Sequence, residues 1–402
     1  MRRAVRVIVL ASAFAAPTVS AFAQEAANTG RFKLGPLGFT PFIAVTNVGV
    51  DNNVFNEGDN PKRDTIAAVG PGVNLWTHLG RARLSGNTAG QYLYFKTYDN
   101  QRSWNTTNGA RVDLPLARLT PFVSGAYVHS NARAGYEIDA RAGRLDRRVT
   151  TGTSIRLSGK TAFEMSGTRA GSAYDRQDPA YGAALSDALD RTSDNELLRM
   201  NYTLTPLTTF VLDMSATQDR FRFDPTRNAD SITVLPGFTM KPLALISGSA
   251  FVGIRQFNAL RDSQPDYVGV VALVDVKYEL STTRIGALVN RDVNFSLNTQ
   301  TPIYVSTDIG LTVTQRITRA WEIVGRGGHQ WLGYRSMAGG GNGGPIGTDR
   351  NRQFGAGLGY RLGGRARLGV DANYYQRRAV VQQQGSYDGL RVGASVTYGL
   401  PQ

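Results

Sequence analysis

The sequence predicts an all-β protein, a transmembrane antiparallel β-barrel of about eighteen strands, with sixteen strands as the alternative. Apolar and polar residues alternate with a period of two through most of the 402-residue chain. Short turns also alternate with long polar segments, and no run of about 18 apolar residues could form a membrane-spanning helix. Because a strand points successive side chains to opposite faces, each segment has one face for lipid and one for water.

The N-terminus predicts a secretory signal peptide over residues 1–23. A basic start precedes the short apolar segment Val5–Ala16, and Ala21-Phe22-Ala23 fits the cleavage rule for small residues. The apolar segment is too short to span a membrane, so we expect export to the bacterial cell outer membrane, with an uncleaved anchor as the alternative. The expected organisation is a signal peptide at 1–23, a short periplasmic segment at 24–40 and the barrel at 41–402.

The strand pattern is clear in many places along the chain. The segment from Leu390 to Leu400 alternates without interruption, and its length matches the roughly 9–11 residues of a tilted membrane-spanning strand. The same alternation runs through 244–255, 303–316, 353–362 and 366–375. A soluble sandwich would have shorter strands and short loops at both ends, so the membrane barrel is favoured.

The connections determine the predicted strand number and orientation. Tight-turn residues lie near 79–81, 118–120, 158–160, 205–207, 240–242, 280–282, 318–320 and 362–364. Long polar segments lie near 56–63, 99–106, 131–144, 176–193, 221–229, 257–265, 296–301, 336–349 and 377–386. Short turns on the periplasmic side and long loops on the extracellular side are typical of outer-membrane barrels. A short helix is expected within 180–191, in the longest loop.

Aromatic residues concentrate near the predicted strand ends, where the two bilayer interfaces would lie. Trp76 and Trp321 adjoin short turns. Those toward the long loops are Tyr92, Tyr94, Phe95, Tyr98, Trp331, Tyr334, Tyr374 and Tyr375.

The composition argues against several kinds of chemistry. The chain has no cysteine, which excludes disulfides, thiolate metal sites, cysteine nucleophiles and a lipid anchor on cysteine. The formal charge is +14, but the arginines are scattered singly along the strands, so nucleic-acid binding is not expected.

Motifs for catalysis and metal binding are weak. His129, Ser130 and Asn131 are consecutive, and adjacent strand residues point to opposite faces, so they cannot form a triad by themselves. We expect no enzymatic activity and no cofactor. A calcium site at Asp51-Asn52-Asn53 with Glu57 and Asp59 is conceivable, but the acidic spacing and glycine of a calcium loop are absent, so no metal is expected.

The arrangement of greatest functional interest is the inner wall. If the apolar face meets lipid, the opposite face carries arginines that outnumber the aspartates Asp113, Asp213, Asp275, Asp308 and Asp371. Rings of arginine favour anions in a pore, whereas arginines paired with aspartates would only brace the wall. Both interpretations stay open. The predicted pore-lining residues are Arg111, Arg148, Arg156, Arg199, Arg255, Arg284, Arg316, Arg326, Arg361 and Arg367.

Two segments carry a resemblance to known proteins. Phe39 to Phe55, which ends in D-N-N-V-F, resembles the opening strand of the putative beta-barrel porin-2 family. The chain end resembles the insertion signal of outer-membrane proteins, with Arg391, Gly393, Val396 and Tyr398 matching in order. It departs by adding Gly-Leu-Pro-Gln after the aromatic residue. The resemblance implies an outer-membrane barrel, with some relatives linked to exopolysaccharide export.

Three functions follow as alternatives. The first is a porin-like channel for small, preferentially anionic or polar solutes, since barrels of about 16–18 strands enclose water. The second is a conduit for exopolysaccharide export, and the third is a surface or adhesion barrel closed by its loops. Expected partners are outer-membrane lipid and lipopolysaccharide, the barrel assembly machinery and, for the second function, polysaccharide export components. Monomer and trimer both stay open.

Overall fold

A computed structural model describes residues 32–133, 135, 137–139, 141–177, 183–242, 244–337, 344–381 and 385–399. Within these residues the chain forms one antiparallel sheet that closes on itself as a barrel of eighteen strands, β2 to β19. The three-residue strand β1 pairs only with the start of β2. The predicted fold class and the strand number of eighteen are therefore confirmed.

Each barrel strand pairs with its neighbours in sequence. The strands are β1 (Phe32–Leu34), β2 (Leu37–Asp51), β3 (Asp64–Leu79), β4 (Ala82–Phe95), β5 (Ser103–Asp113), β6 (Leu119–Ser130), β7 (Arg144–Arg156), β8 (Thr161–Tyr174), β9 (Arg191–Thr205), β10 (Thr208–Phe221), β11 (Ala229–Met240), β12 (Ile246–Ala259), β13 (Tyr267–Leu280), β14 (Thr283–Phe295), β15 (Ile303–Arg316), β16 (Trp321–Arg335), β17 (Pro345–Leu362), β18 (Ala366–Arg378) and β19 (Tyr387–Tyr398).

Within the described residues, helical structure occurs only in the long loops. The helix α1 (Ala184–Leu189) lies inside the segment expected to be helical, and short 3-10 helices occupy Asp99–Gln101 and Pro225–Arg227. Among the described residues, no helix is long and apolar enough to cross a membrane. The predicted signal peptide at 1–23 lies outside the described residues, and β2 begins at Leu37, within the segment expected to precede the barrel.

The barrel closes where β19 pairs with β2, from Arg391 opposite Asp51 to Tyr398 opposite Ile43. A register shift interrupts this pairing. Close to it, a side chain at Gly49 would place its Cβ only 2.0 Å from the Val392 carbonyl oxygen. Only glycine therefore allows the first and last strands to approach this closely.

The outer face of the barrel is apolar around the middle of the strands, and charged residues occur on it near the long loops. Val370, for example, is 57% exposed, and its register partner Leu358 on β17 is also exposed. Polar residues alternate with these positions and face the lumen. Such a surface is stable in hydrocarbon because a closed barrel pairs all its backbone groups internally.

Aromatic residues occur on the lipid-facing surface near both ends of the strands. Trp321 packs on Tyr360 near the short turns, with ring centroids 4.9 Å apart, and Tyr92 packs against Trp104 near the long loops at 5.4 Å. The expectation was wrong for Trp76, Phe95, Tyr334 and Tyr375. Strand alternation places these four on the inner face, where Phe95 and Tyr334 are buried.

Replacing Val370 by arginine should destabilise the membrane-inserted barrel. A charge on the lipid face near the bilayer midplane costs about 2–4 kcal/mol. The free energy of folding into lipid vesicles, measured by urea titration, should fall by about that amount. Thr312→Arg is the matched control, because Thr312 lies on the inner face, and its effect should be much smaller. Equal losses for the two variants would contradict the assignment of faces.

Candidate functional site at the inner wall and outer mouth

The ten arginines predicted to line a pore all lie on the inner face of the barrel. Asp371 shows how the face is assigned, since it alternates with the exposed Val370 and lies opposite Gly357 and Gly393. The role of the ten arginines in a conducting pore remains a prediction. The residues on this face are Arg111, Arg148, Arg156, Arg199, Arg255, Arg284, Arg316, Arg326, Arg361 and Arg367.

At least seven of the ten form ion pairs with carboxylates among the described residues of the wall, and Arg148 also has an interaction partner. Most partners lie on neighbouring strands or two residues along the same strand, so the pairs brace the sheet. The pairs are Arg111–Asp113 at 2.8 Å, Arg199–Asp213 at 2.6 Å, Arg255–Asp292 at 2.9 Å, Arg284–Glu279 at 2.9 Å, Arg326–Asp371 at 2.8 Å, Arg361–Glu322 at 2.7 Å and Arg367–Glu322 at 2.7 Å.

Glu322 is the most enclosed of these carboxylates. Its two oxygens accept hydrogen bonds from Arg361 Nε and Arg367 Nε, each at 2.7 Å, and its side chain is 4% exposed. The three residues lie on the adjacent strands β16, β17 and β18. Two guanidinium groups on one buried carboxylate fix the geometry of this wall and leave one excess positive charge.

Arginine without a carboxylate partner concentrates at the short-turn end of the inner wall. Arg156 and Arg316, at the ends of β7 and β15, form no ion pair within the described chain, and Arg284 and Arg361 repel Arg316. Arg83, which sequence reasoning left out, lies at the same end and is exposed on the inner face. The positive excess therefore faces the periplasmic opening.

The predicted insertion-signal residues lie in the closing strand β19. Arg391 and Gly393 face inward, whereas Val396 and Tyr398 face lipid. Arg391 Nη2 lies 2.6 Å from a carboxylate oxygen of Asp51, and the Tyr375 hydroxyl donates to the other oxygen at 2.9 Å. Arg391 thus joins the barrel ends, and a role in insertion remains a prediction.

The long loop at residues 131–143, named here the crossing loop, extends over the outer mouth of the barrel. An isolated bridge between Arg133 and Arg141 folds it into a hairpin whose tip lies around residues 137–139. The hairpin begins and ends on the adjacent strands β6 and β7. Its described residues nevertheless contact the ends of strands on distant parts of the barrel.

One side of the crossing loop contacts the loop that follows β2. Arg133 Nη2 donates to the Val54 carbonyl at 2.7 Å, and Asn56 Nδ2 donates to Asp139 Oδ1 at 2.6 Å. Arg377 of β18 lies 3.7 Å from Asp139 and also pairs with Asp349 at 3.2 Å. Asp139, Asp349 and Arg377 are buried, so their mutual pairing compensates for lost hydration.

The tip of the crossing loop contacts the loop between β14 and β15. Glu137 accepts a hydrogen bond from the Ser296 hydroxyl and another from the Leu297 amide at 2.9 Å. Complete burial raises the pKa of Glu137 to about 7, although its two hydrogen bonds and the charges of Arg227 and Arg377 oppose the shift. The loop therefore carries a titratable group at its contact with the opposite wall.

Apolar packing supports the same arrangement. Ile138 and Ala142 of the crossing loop form a buried cluster with Leu185, Ala188 and Leu189 of α1. Burial of these side chains favours the folded loops through the hydrophobic effect.

Arg227, in the loop between β10 and β11, connects this loop to two others beside the cluster. Its guanidinium donates to the Ala188 carbonyl at the end of α1 at 2.7 Å, to the Pro302 carbonyl at 3.0 Å, and to the Ser296 carbonyl. Arginine suits this position because its planar group presents several donors in fixed directions. The outer mouth is thus covered by loops that hold one another.

Sequence reasoning did not find Glu137, Arg227 or Arg377. The sequence predicts a long polar loop at 131–144, although Ile138, and Leu185 in the next long loop, are apolar residues that a free loop would expose to water. Those residues were the available signal. Which segments they would contact depends on the barrel closing first.

The weaker motifs have other roles in the structure. Asp51 of the conceivable calcium site is engaged by Arg391 and Tyr375. His129 and Ser130 lie on opposite faces of β6, as the alternation predicts. Among the described residues no cluster of histidine, aspartate and glutamate has a geometry that could hold a metal ion.

Comparison with known proteins identifies a family. The family model described as putative beta-barrel porin 2 matches residues 33–399. No curated protein matches the chain.

Solved structures similar to this chain include several barrels. The Pseudomonas aeruginosa protein OpdK with vanillate is 10% identical, with 90% of this chain and 98% of that chain covered and a TM-score of 0.47. OccK5 (OpdH) of the same organism is 9% identical, with 90% of this chain and 97% of that chain covered and a TM-score of 0.45. A bacterial polysaccharide outer membrane secretin is 9% identical, with 89% of this chain and 98% of that chain covered and a TM-score of 0.35. Likeness at this level carries no argument about solute or mechanism.

The contact of the crossing loop should depend on pH through Glu137. Because burial raises the pKa of Glu137 from 4.5 to about 7, the docked loop holds the proton more tightly than an undocked loop would. Docking should therefore be most favourable below pH 4.5 and weaken as the pH rises toward about 7. Hydrogen–deuterium exchange of loop peptides, corrected for intrinsic rates, should show stronger protection at pH 5 than at pH 8.

The matched variants separate this effect from general pH sensitivity. Glu137→Gln keeps an oxygen acceptor for Ser296 and Leu297 and should remove most of the pH dependence. Glu57→Gln, in the partly exposed pair with Lys62, should leave the pH dependence unchanged. Equal protection of the wild-type loop at the two pH values would show that Glu137 does not control docking.

Proposed function

The chain belongs to the family described as putative beta-barrel porin 2, and from this premise we propose that it forms a channel for small polar solutes with a weak preference for anions. The chain is an outer-membrane barrel. The observation that carries the proposal is the inner wall, which is polar and has an excess of arginine at its short-turn end. Barrels of this size enclose water when the inner face is polar.

The preference for anions is expected to be weak. Seven of the ten predicted arginines are paired with carboxylates, which cancels much of their field in the lumen. Arg156, Arg316 and Arg83 remain as candidates for attracting anions at the periplasmic opening. The two interpretations of the arginines thus apply to different residues, with paired arginines bracing the wall and unpaired ones favouring anions.

The crossing loop supports a narrow passage. It lies over the outer mouth and is held by Glu137 and Asp139 at its tip and by Arg133 near its base. A loop in this position limits the size of solutes, and a polysaccharide chain could pass only after the loop moved. The same contacts favour a second candidate, a surface barrel closed by its loops.

Conductance distinguishes the two candidates. Purified protein with heat-modifiable mobility, added to planar lipid bilayers in symmetric potassium chloride, should produce discrete conductance steps. Folded protein that inserts into bilayers without any conductance would overturn the channel and leave the loop-closed barrel.

The role of unpaired arginine can be tested by reversal potentials in a potassium chloride gradient. Arg316→Gln should lower the chloride-to-potassium permeability ratio, by roughly twofold, because it removes one uncompensated charge. The double variant Arg199→Gln with Asp213→Asn is the matched control, since it removes a neutral pair and should leave the ratio unchanged. Cation preference in the wild type would exclude the arginines as an anion filter.

A further inference from the structure

The outer surface of the barrel carries a cluster of arginine at one place near the long loops. Arg350 and Arg352 of β17 and Arg378 of β18, named here the outer arginine patch, lie on the lipid-facing side and are exposed. This side is opposite to the inner wall, so these arginines have no part in the proposed channel. A ligand of these arginines would have to reach the barrel from the membrane or from its surface.

The strand register places the three arginines side by side. Arg350 is the direct partner of Arg378 across β17 and β18, and Arg352 lies two residues along β17 on the same face. Direct cross-strand partners have Cα atoms about 4.5–5.5 Å apart, and same-face neighbours along a strand are about 7 Å apart. The long side chains can therefore converge on one anion.

The patch has an aromatic border on β16. Trp331 is the register partner of Arg350, and His329 is the partner of Arg352. The two rings stack on each other, with centroids 3.9 Å apart and planes inclined by 13°. A flat surface of this kind beside guanidinium groups suits a sugar ring as well as a phosphate.

Carboxylates do not neutralise the patch. Arg350, Arg352 and Arg378 form no ion pair within the described residues. Asp388 of β19, on the same face, accepts a hydrogen bond from the Tyr374 hydroxyl at 3.3 Å instead. Elsewhere on the lipid-facing side, Arg220 pairs with Asp230 at 2.7 Å and Arg169 with Asp194 at 3.7 Å, whereas Arg147 of β7 forms no ion pair within the described residues.

The patch lies at the upper border of the apolar belt. The next cross-strand row toward the short turns is Phe354 and Tyr374, and apolar rows with Leu358 and Val370 follow. Aromatic residues mark the interface of a bilayer, so the arginines lie at the level of lipid headgroups. Because the long loops are extracellular, these headgroups belong to the outer leaflet.

We propose that the outer arginine patch binds the phosphate-bearing headgroup of a glycolipid of the outer leaflet. Arginine forms charge-assisted, bidentate hydrogen bonds with phosphate, and three arginines around one position can hold a phosphate that a single exposed arginine would not. The stacked His329 and Trp331 would contact the adjoining sugar. The proposal is independent of the channel, since a barrel without conductance would carry the same surface.

Native mass spectrometry of the protein folded in detergent tests the proposal. The probe is lipopolysaccharide with a truncated sugar chain, compared with the same lipid after enzymatic removal of its phosphates. The phosphorylated lipid should bind about tenfold more tightly than the dephosphorylated one. The triple variant Arg350→Gln, Arg352→Gln and Arg378→Gln should lose the same factor, whereas the corresponding triple lysine variant should retain most of the binding.

The matched control removes the same number of lipid-facing arginines elsewhere. Arg147→Gln, Arg169→Gln and Arg220→Gln together should change the affinity less than twofold, provided that each variant keeps heat-modifiable mobility. Equal losses in the two triple variants would overturn the proposal by showing a dependence on total charge.

Two further outcomes would also overturn it. Inorganic phosphate that displaces the lipid at equal concentration would identify a general anion site. A dimer of the chain that the patch substitutions dissociate would identify a second copy, and not a lipid, as the occupant.

Discussion

The closure of the sheet is the constraint on which the other features depend. In hydrocarbon an unpaired edge would leave backbone donors and acceptors without partners, so β19 must meet β2. Gly49 permits the close approach of the two strands, and the buried contact of Asp51 with Arg391 and Tyr375 holds their outer ends. Strand alternation then assigns every side chain to lipid or to the lumen.

Charge has different consequences on the two faces of the same wall. Inside, Glu322 between Arg361 and Arg367 shows how a carboxylate on one strand can fix arginines on two neighbours. Such pairs stabilise the wall while weakening its electrostatic effect on ions in the lumen. Outside, the unpaired Arg350 and Arg352 lie beside lipid headgroups, where an anionic partner is available from the membrane itself.

The long loops convert an open barrel into a restricted one. The crossing loop, α1 and the segment around Arg227 are held by apolar packing and by hydrogen bonds to backbone carbonyls. Because Glu137 is buried at the contact between two loops, we expect the proton occupancy of this one carboxyl to be coupled to the position of the crossing loop. The described loops thus cover the outer mouth, while arginine without a carboxylate partner in the described chain lies at the short-turn end of the inner wall.

The sequence by itself determined the barrel and a strand number of about eighteen, with sixteen left open, because the period of two and the alternation of turn lengths are local properties. The alternation also predicts one shared face for the ten wall arginines, but the position of Trp76 and Tyr334 near strand ends did not reveal that they face inward. The sequence could not determine which of the arginines are paired, since Arg255 and Asp292 are distant in sequence and meet only through the strand order. Only the tertiary structure decided that Glu137 and Arg227 join loops across the mouth, because those contacts exist only once the barrel has closed.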